Sequence, residues 1–344
     1  MTVIRSKERS SIGRVVVDVH AHFMPAPAVE ALARSPERFD ATLEQVDGMT
    51  RIVTGGRSRE LVTPEYVDVE RRVVDMDNAG IDVQVLSPRP NLLCYWADAG
   101  WAAEFCAEVN EGMAAVARDG SRFWALGQLP LQSPELSLQE IDHVVELGLV
   151  GVEIGATVED VELDDETLDP VWTRLAGRDL AVFVHPVNRG FLPRMADYHL
   201  TNIVGNPLST TLAISRLVLG GVLTRHPGLR FCFAHGGGCI PYLAGRMDHA
   251  YEEREDTSAR IDVTPSSLLS RCYFDTITHA ESSLRFLIDS MGDGRVVVGT
   301  DYPADMAEGE ISSTLAGLGL SDNARRRIEC ENAERLFQPA AVKS

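Results

Sequence analysis

The stretch Val15–Phe23 reads VVVDVHAHF, and its reading decides the fold. Val15–Val19 is so rich in β-branched apolar side chains that it predicts a buried strand. In a strand, residues two apart share a face. His20 and His22 therefore leave the end of that strand in parallel, spaced to chelate a divalent cation at little ordering cost. The plain alternative is a pair of histidines satisfied in a core. Four more polar groups at the ends of later strands argue against it: Glu153, His185, His235 and Asp301.

Working outward, short apolar runs alternate with helical patterns at intervals suited to βα units. The runs are Val15–Val19, Asp82–Ser87, Phe123–Leu129, Gly151–Ile154, Ala181–His185, Arg230–His235, Cys272–Asp275 and Arg295–Gly299. Between them, Pro64–Ala79, Trp101–Arg118, Pro134–Leu147, Asp169–Gly177 and Thr210–His226 read as helices. Eight strands in this alternation predict an α/β fold of the (β/α)8 TIM-barrel type, with residues 1–344 as one barrel domain. Residues 24–63 are too long for a plain connection between the first strand and its helix. They carry Arg51, Arg57 and Arg59 near Gly55 and Gly56, and read as a cap segment inserted after strand one; a solvated insertion without a role is the alternative.

Composition narrows the function classes. The net charge is −19, with 32 basic against 51 acidic residues, which argues against nucleic acid or an anionic membrane as partner. Part of that acid is concentrated between Glu153 and Asp169, a stretch with eight carboxylates and no base. The six cysteines form no CxxC pair, so reduced thiols in a cytoplasmic protein are expected. The opening MTVIRSKERSSIGR has no apolar core of the kind a signal peptide needs, and no run approaches the length of a membrane span. The glycine run Gly236–Gly238 lacks the spacing of a phosphate-binding loop.

In a barrel, active sites gather at the C-terminal ends of the strands. His20 and His22 end strand one, His185 strand five, His235 strand six and Asp301 strand eight. Imidazoles with a carboxylate suit Zn2+, with Mn2+, Fe2+ or Co2+ as substitutes.

These residues lie in a series of motifs: DVHAHFMP, VVDMDNAGIDVQVLSP followed by CYW, FWALGQLPLQSPELSLQEIDHVVELGLVGVEIG, VFVHP, GGVLTRHPGLRFCFAHGGGCIPYLAGRMDHAYE and VVVGTDYP. In this order they resemble the amidohydrolase superfamily, and within it the branch of aminocarboxymuconate-semialdehyde decarboxylase. The resemblance spans most of the chain, leaving out the tails and the cap region. It implies one divalent metal held by His20, His22, His185 and Asp301, with His235 as acid/base rather than ligand. It implies a homodimer in which Arg246 reaches a substrate carboxylate across the interface, and places a second substrate arginine near Arg51. A surface salt bridge is the plainer reading of Arg246. Arg89, in LSPRPN, is a further cation at the barrel mouth that the resemblance does not supply.

Two-metal amidohydrolases commonly bridge their ions with a carboxylated lysine at strand four. This chain has only Lys7 and Lys343; Glu153 ends that strand and could bridge instead, the commoner fate of such a glutamate being a hydrogen bond to a neighbouring polar group. The departures bear on substrate. Leu43-Glu44-Gln45-Val46 precede Asp47-Gly48 where the decarboxylase has a lysine, Val187 replaces an aromatic, and Ala304 a phenylalanine. The reaction expected is non-oxidative decarboxylation of a small aromatic or muconate-type carboxylic acid, on Asp301 and His235. The alternative is a hydrolase or hydratase of the same superfamily acting on a lactone, amide or conjugated keto-acid. His143, His199, His226, His249 and His279 read as structural or exposed, and Trp96 as a pocket wall or a packing aromatic.

Overall fold

The computed structural model describes residues 14–55, 58–187 and 193–338. Lys7, Arg57, Lys343 and the N-terminal stretch as far as Gly13 lie outside the described residues. The strands in chain order are β1 (Val17–Phe23), β2 (Ala41–Val46), β3 (Met49–Thr54), β4 (Ser58–Val62), β5 (Val83–Pro88), β6 (Phe123–Gln128), β7 (Gly151–Gly155), β8 (Ala181–His185), β9 (Arg230–Phe233), β10 (Tyr273–Asp275) and β11 (Val296–Val297). Eight of them pair in the order β1-β5-β6-β7-β8-β9-β10-β11, each pair parallel.

Past β11, the backbone bonds Val19 N to Val298 O, Asp301 N to His20 O and His22 N to Tyr302 O, each 2.8 Å, bring the last strand against the first. The fold is a (β/α)8 barrel. Its strands carry near-continuous apolar runs because helices cover their outer faces and side chains fill the interior. Val17, Val19, Phe183, Cys232 and Val297 form an inner cluster with Ala333, Leu336 and Phe337 of the C-terminal helix Asn332–Phe337.

The first strand differs from its sequence expectation in an instructive way. It starts two residues later, at Val17, and runs through both histidines to Phe23. Parallel pairing with β5 continues at Ala21↔Leu86 and His22↔Ser87, after an irregularity between Asp18 and Ala21. His20 and His22 are thus fully buried residues within the strand, not residues beyond it.

Two predicted helices are each broken in two. Pro64–Val67 and Val69–Ala79 are separated by Asp68, whose extended backbone lets its carboxylate accept from Arg71 N at 3.0 Å and cap the second helix. Asn206–Leu219 and Val222–Arg225 are separated at Gly220 and Gly221. Gly221 has φ +77°, and a Cβ there would lie 2.6 Å from Arg260 O, so only glycine fits.

The described residues between 24 and 63 form regular elements. They hold the helix Ala26–Arg34 and an antiparallel sheet β2-β3-β4. Thr54, Glu60 and Leu61 of this sheet border the cavity at the barrel mouth. No helix among the described residues is long and apolar enough to cross a membrane, and Cys106, Cys232, Cys239, Cys272 and Cys330 are free thiols.

Candidate metal centre and active site

The hydrogen bonds of three imidazoles decide which of their nitrogens is bare. His20 Nδ1 donates to Asp275 Oδ2 at 2.7 Å. His185 Nδ1 donates to the carbonyl of Pro186 at 2.9 Å. The Ser87 hydroxyl donates to Ala21 O and so accepts from His22 Nδ1, at 3.1 Å. In each ring the proton sits on Nδ1, and Nε2 keeps an unshared pair. Those pairs converge. His20 Nε2 and His22 Nε2 are 3.2 Å apart, with Asp301 Oδ1 3.5 and 3.2 Å from them. One donor atom from each of His20, His22, His185 and Asp301 lies within 4.8 Å of the others, all four residues buried.

Nothing among the described residues satisfies this set. His185 Nε2 and Asp301 Oδ1 are buried without a hydrogen-bond partner. Three lone pairs and a carboxylate facing one another repel unless a cation lies between them. The donor set and its geometry suit a divalent metal ion.

The electrostatics agree. Burial depresses the pKa of His22 to about 3 and that of His185 well below the usual imidazole range, so both rings are neutral donors. Burial opposes charge on His20 too, but Asp301 and Asp275 outweigh it and raise its pKa. Asp301 is likewise buried, yet the neighbouring histidines, His20 foremost, hold it well below the ordinary carboxylate range. The centre stabilises positive charge.

His235 stands just beside this set. Its Nε2 is 3.7 Å from Asp301 Oδ2 and its Nδ1 has no hydrogen-bond partner. It lies two residues past β9 with φ +56°, a left-handed conformation uncommon for a non-glycine residue. Glu153 is fully buried at β7, and burial pushes its pKa well above the usual range, so it is a neutral acid. It is not one of the four clustered groups.

A cavity of about 670 Å3 opens over His185 and Asp301, walled by Leu93, Tyr95, Trp96 and Val187, with Ala304 also on its lining. Val187 and Ala304, singled out as departures in the motifs, are thus pocket residues. Trp96 serves both readings: it lines the cavity and its Nε1 donates to Phe39 O at 2.9 Å. Arg89 lines the same cavity. Its Nε and Nη2 both donate to Glu60 Oε2, at 3.1 and 3.0 Å, and its guanidinium lies over the Tyr66 ring. Arg51 is elsewhere on the small sheet, paired with Glu44 at 3.7 Å, and is not on the cavity lining. Arg246 is exposed on the helix Ile240–Glu253. On that side a second cavity of about 590 Å3 is lined by His235, Tyr242 and Phe286.

Sequence reading missed three participants. Asp275, at the end of the seventh strand, was the signal to follow, since each polar strand end in a barrel is a site candidate. Glu60 and Tyr66 lie in and just after the inserted segment, where no periodicity points inward. His199, read as structural or exposed, lines the larger cavity. His143 and His226 are structural as expected, paired with Glu140 at 3.1 Å and Asp169 at 3.0 Å.

Comparison with known proteins follows the same line. The amidohydrolase family model matches residues 17–338, so the chain belongs to that family. A 2-amino-3-carboxymuconate-6-semialdehyde decarboxylase of Dictyostelium discoideum is 37% identical over 244 residues, covering 70% of this chain and 68% of the relative. A gamma-resorcylate decarboxylase of Polaromonas sp. is 28% identical over 294 residues, covering 78% and 87%. Among solved structures, the 5-carboxyvanillate decarboxylase of Sphingomonas paucimobilis superposes with a TM-score of 0.82 at 23% identity, covering 95% of this chain and all of the other. A dihydroxybenzoic acid decarboxylase of Polaromonas sp. JS666, crystallised with manganese and 2-nitroresorcinol, gives 0.74 at 22% identity, covering 94% and 97%.

Proposed function

We propose that this member of the amidohydrolase family is a metal-dependent, non-oxidative decarboxylase, a carbon–carbon lyase, of a small aromatic or muconate-type carboxylic acid. The observation that carries the reading is the convergence of three bare Nε2 atoms on Asp301 beneath a cavity that also holds Arg89, with His235 Nε2 3.7 Å from the same carboxylate. The curated relatives named above, both decarboxylases, favour it over hydrolysis. His20, His22, His185 and Asp301 would hold one divalent ion. When bound, it would withdraw electron density from a substrate oxygen and so activate the conjugated system.

The rest is the work of side chains. Arg89, held by Glu60 through Nε and Nη2, offers the rest of its guanidinium to a substrate carboxylate. Leu93, Tyr95 and Trp96 keep the conjugated part of the substrate away from bulk water. His235 delivers the proton to the carbon bearing the carboxylate, with Asp301 as the carboxylate beside its Nε2. That protonation interrupts conjugation. Cleavage of the bond to the carboxylate then returns its electron pair to the carbon skeleton, conjugation is restored and CO2 leaves. No oxidant is consumed.

We expect Zn2+ from the three imidazoles and one carboxylate; Mn2+, the ion in the Polaromonas crystal structure, together with Fe2+ and Co2+, suits the same donors. We also propose a cytoplasmic homodimer in which Arg246 of each subunit reaches the other's substrate. Its support is the exposure of Arg246 beside Tyr242, which is 81% exposed, and the opening of His235 toward that face. The three-stranded sheet β2-β3-β4, which sets Glu60 at the cavity, is proposed as the cap. Arg51, on that sheet, is proposed as an outer substrate contact.

The reaction is tested by incubating the metal-loaded protein with a panel of hydroxybenzoates and muconate-type acids. Release of one CO2 per substrate consumed is expected. Addition of water across a bond without CO2 would identify a hydrolase or hydratase.

A further inference from the structure

Asp275 has no counterpart among the residues assigned so far, yet it touches both halves of the site. It is fully buried at the end of β10. Its Oδ2 accepts from His20 Nδ1 at 2.7 Å and from the backbone N–H of His235 at 3.0 Å. Its Oδ1 accepts from Gly236 N at 2.8 Å and Ile277 N at 3.1 Å. Four donors thus occupy the two oxygens of one carboxylate. Asp275 is on the lining of neither cavity, so it meets no substrate.

The consequences differ at the two ends. At His20, the accepted proton fixes the ring's tautomer and aims Nε2 at Asp301. At His235, the carboxylate holds a backbone that is left-handed at two successive residues, φ +56° at His235 and +61° at Gly236. A left-handed non-glycine residue is strained unless its surroundings hold it. Two charge-assisted bonds to consecutive N–H groups supply that hold. Gly299 supports the arrangement independently. A Cβ there would lie 2.8 Å from Asp275 Cβ and 3.0 Å from His20 Cβ, so the missing side chain is what lets the two residues meet.

We propose that Asp275 is a positioning residue that ties His20, a metal-holding group, to His235, the proton-handling group, so that one carboxylate sets both. The inference rests on the metal-dependent reading above. Its test separates the two. Metal-free wild type and Asp275→Asn are titrated with Zn2+ against a chelating indicator, and decarboxylation is then measured with Zn2+ saturating. Wild type that binds no ion would defeat the metal reading itself.

Given wild-type binding, the Asp275→Asn affinity is expected to fall about 10–100-fold. With the site filled, kcat should still be down at least about tenfold, because His235 has lost its backbone hold. Unchanged affinity, or a kcat that returns to the wild-type value at saturating Zn2+, overturns the proposal. Gly299→Ala removes none of the named groups but wedges a methyl between His20 and Asp275. It is expected to lose on both readouts, and it decides the question if Asp275→Asn does not fold. A Gly299→Ala protein normal in either readout equally overturns it.

Discussion

His185 and Arg89 line the same cavity, yet they are held by different means. His185 is the last residue of a buried strand, its Nδ1 fixed by the next residue's carbonyl, and its position follows from the register of β8 between β7 and β9. Arg89 follows β5, but what aims it is Glu60, 29 residues away on a sheet outside the barrel. The floor of the site is set by strand geometry and its rim by an insertion. A barrel can therefore keep its metal chemistry while the substrate changes, since the two are specified by separate parts of the chain.

The largest expected effect breaks the floor. His185→Ala or His22→Ala should lose the metal and with it at least about 10^4-fold of kcat/KM, because each removes a lone pair the cation needs. Metal content and turnover measured on the same preparation check it. Retention of both would mean the cluster is not the metal centre.

Acid should weaken the floor more gently. Below the ordinary imidazole value near 6.5, unperturbed histidines would each take a proton and expel the ion. His22 and His185 resist, because burial has lowered their pKa values, to about 3 for His22. His20 is raised instead, so it alone gains a proton at Nε2 as pH falls through its pKa and the unfilled site loses its binding form. Zn2+ affinity should thus drop about tenfold per pH unit, the slope of one proton. A slope of two or three protons, read from chelator competition between pH 6.5 and about 5, would show that the three rings titrate alike.

At the rim, Arg89→Lys keeps a charge opposite Glu60 but loses the planar fork. KM should rise about tenfold with kcat and metal content unchanged. A loss of metal in this variant would erase the division between floor and rim. The smallest effect belongs to Arg51, which is 38% exposed and paired with Glu44. Arg51→Ala should raise KM by no more than about twofold, as loss of a solvent-screened outer contact to the substrate would. A tenfold rise would mean that Arg51 turns inward when substrate binds.

The same division explains what could be read in the sequence. Val17–Phe23, Ala181–His185 and the residues around Asp301 announce themselves because buried parallel strands are apolar throughout, and a polar residue at their ends stands out. The alternation of strands and helices then gives the barrel, and the barrel brings residues hundreds of positions apart to one face. Helix breaks at Asp68 and at Gly220–Gly221 were not legible, since a cap and a close backbone approach depend on tertiary neighbours. The strands of the antiparallel sheet within the inserted segment were not legible, because they are short and β2 and β3 are only partly buried. Glu60 and Tyr66 were invisible for that reason. Asp275 was in plain view at a strand end, but a lone aspartate does not disclose that it will accept from a histidine 255 residues earlier.

In the proposed reaction four groups hold one ion and a fifth, His235, moves the proton. The measurement that tests it most directly is elemental analysis of purified wild type and His235→Ala, with turnover assayed on the same samples. One divalent ion per chain is expected in both, with decarboxylation abolished only in His235→Ala. Two ions per chain in wild type would bring Glu153 in as a bridge, and loss of the ion from His235→Ala would make His235 a ligand; either result contradicts the account.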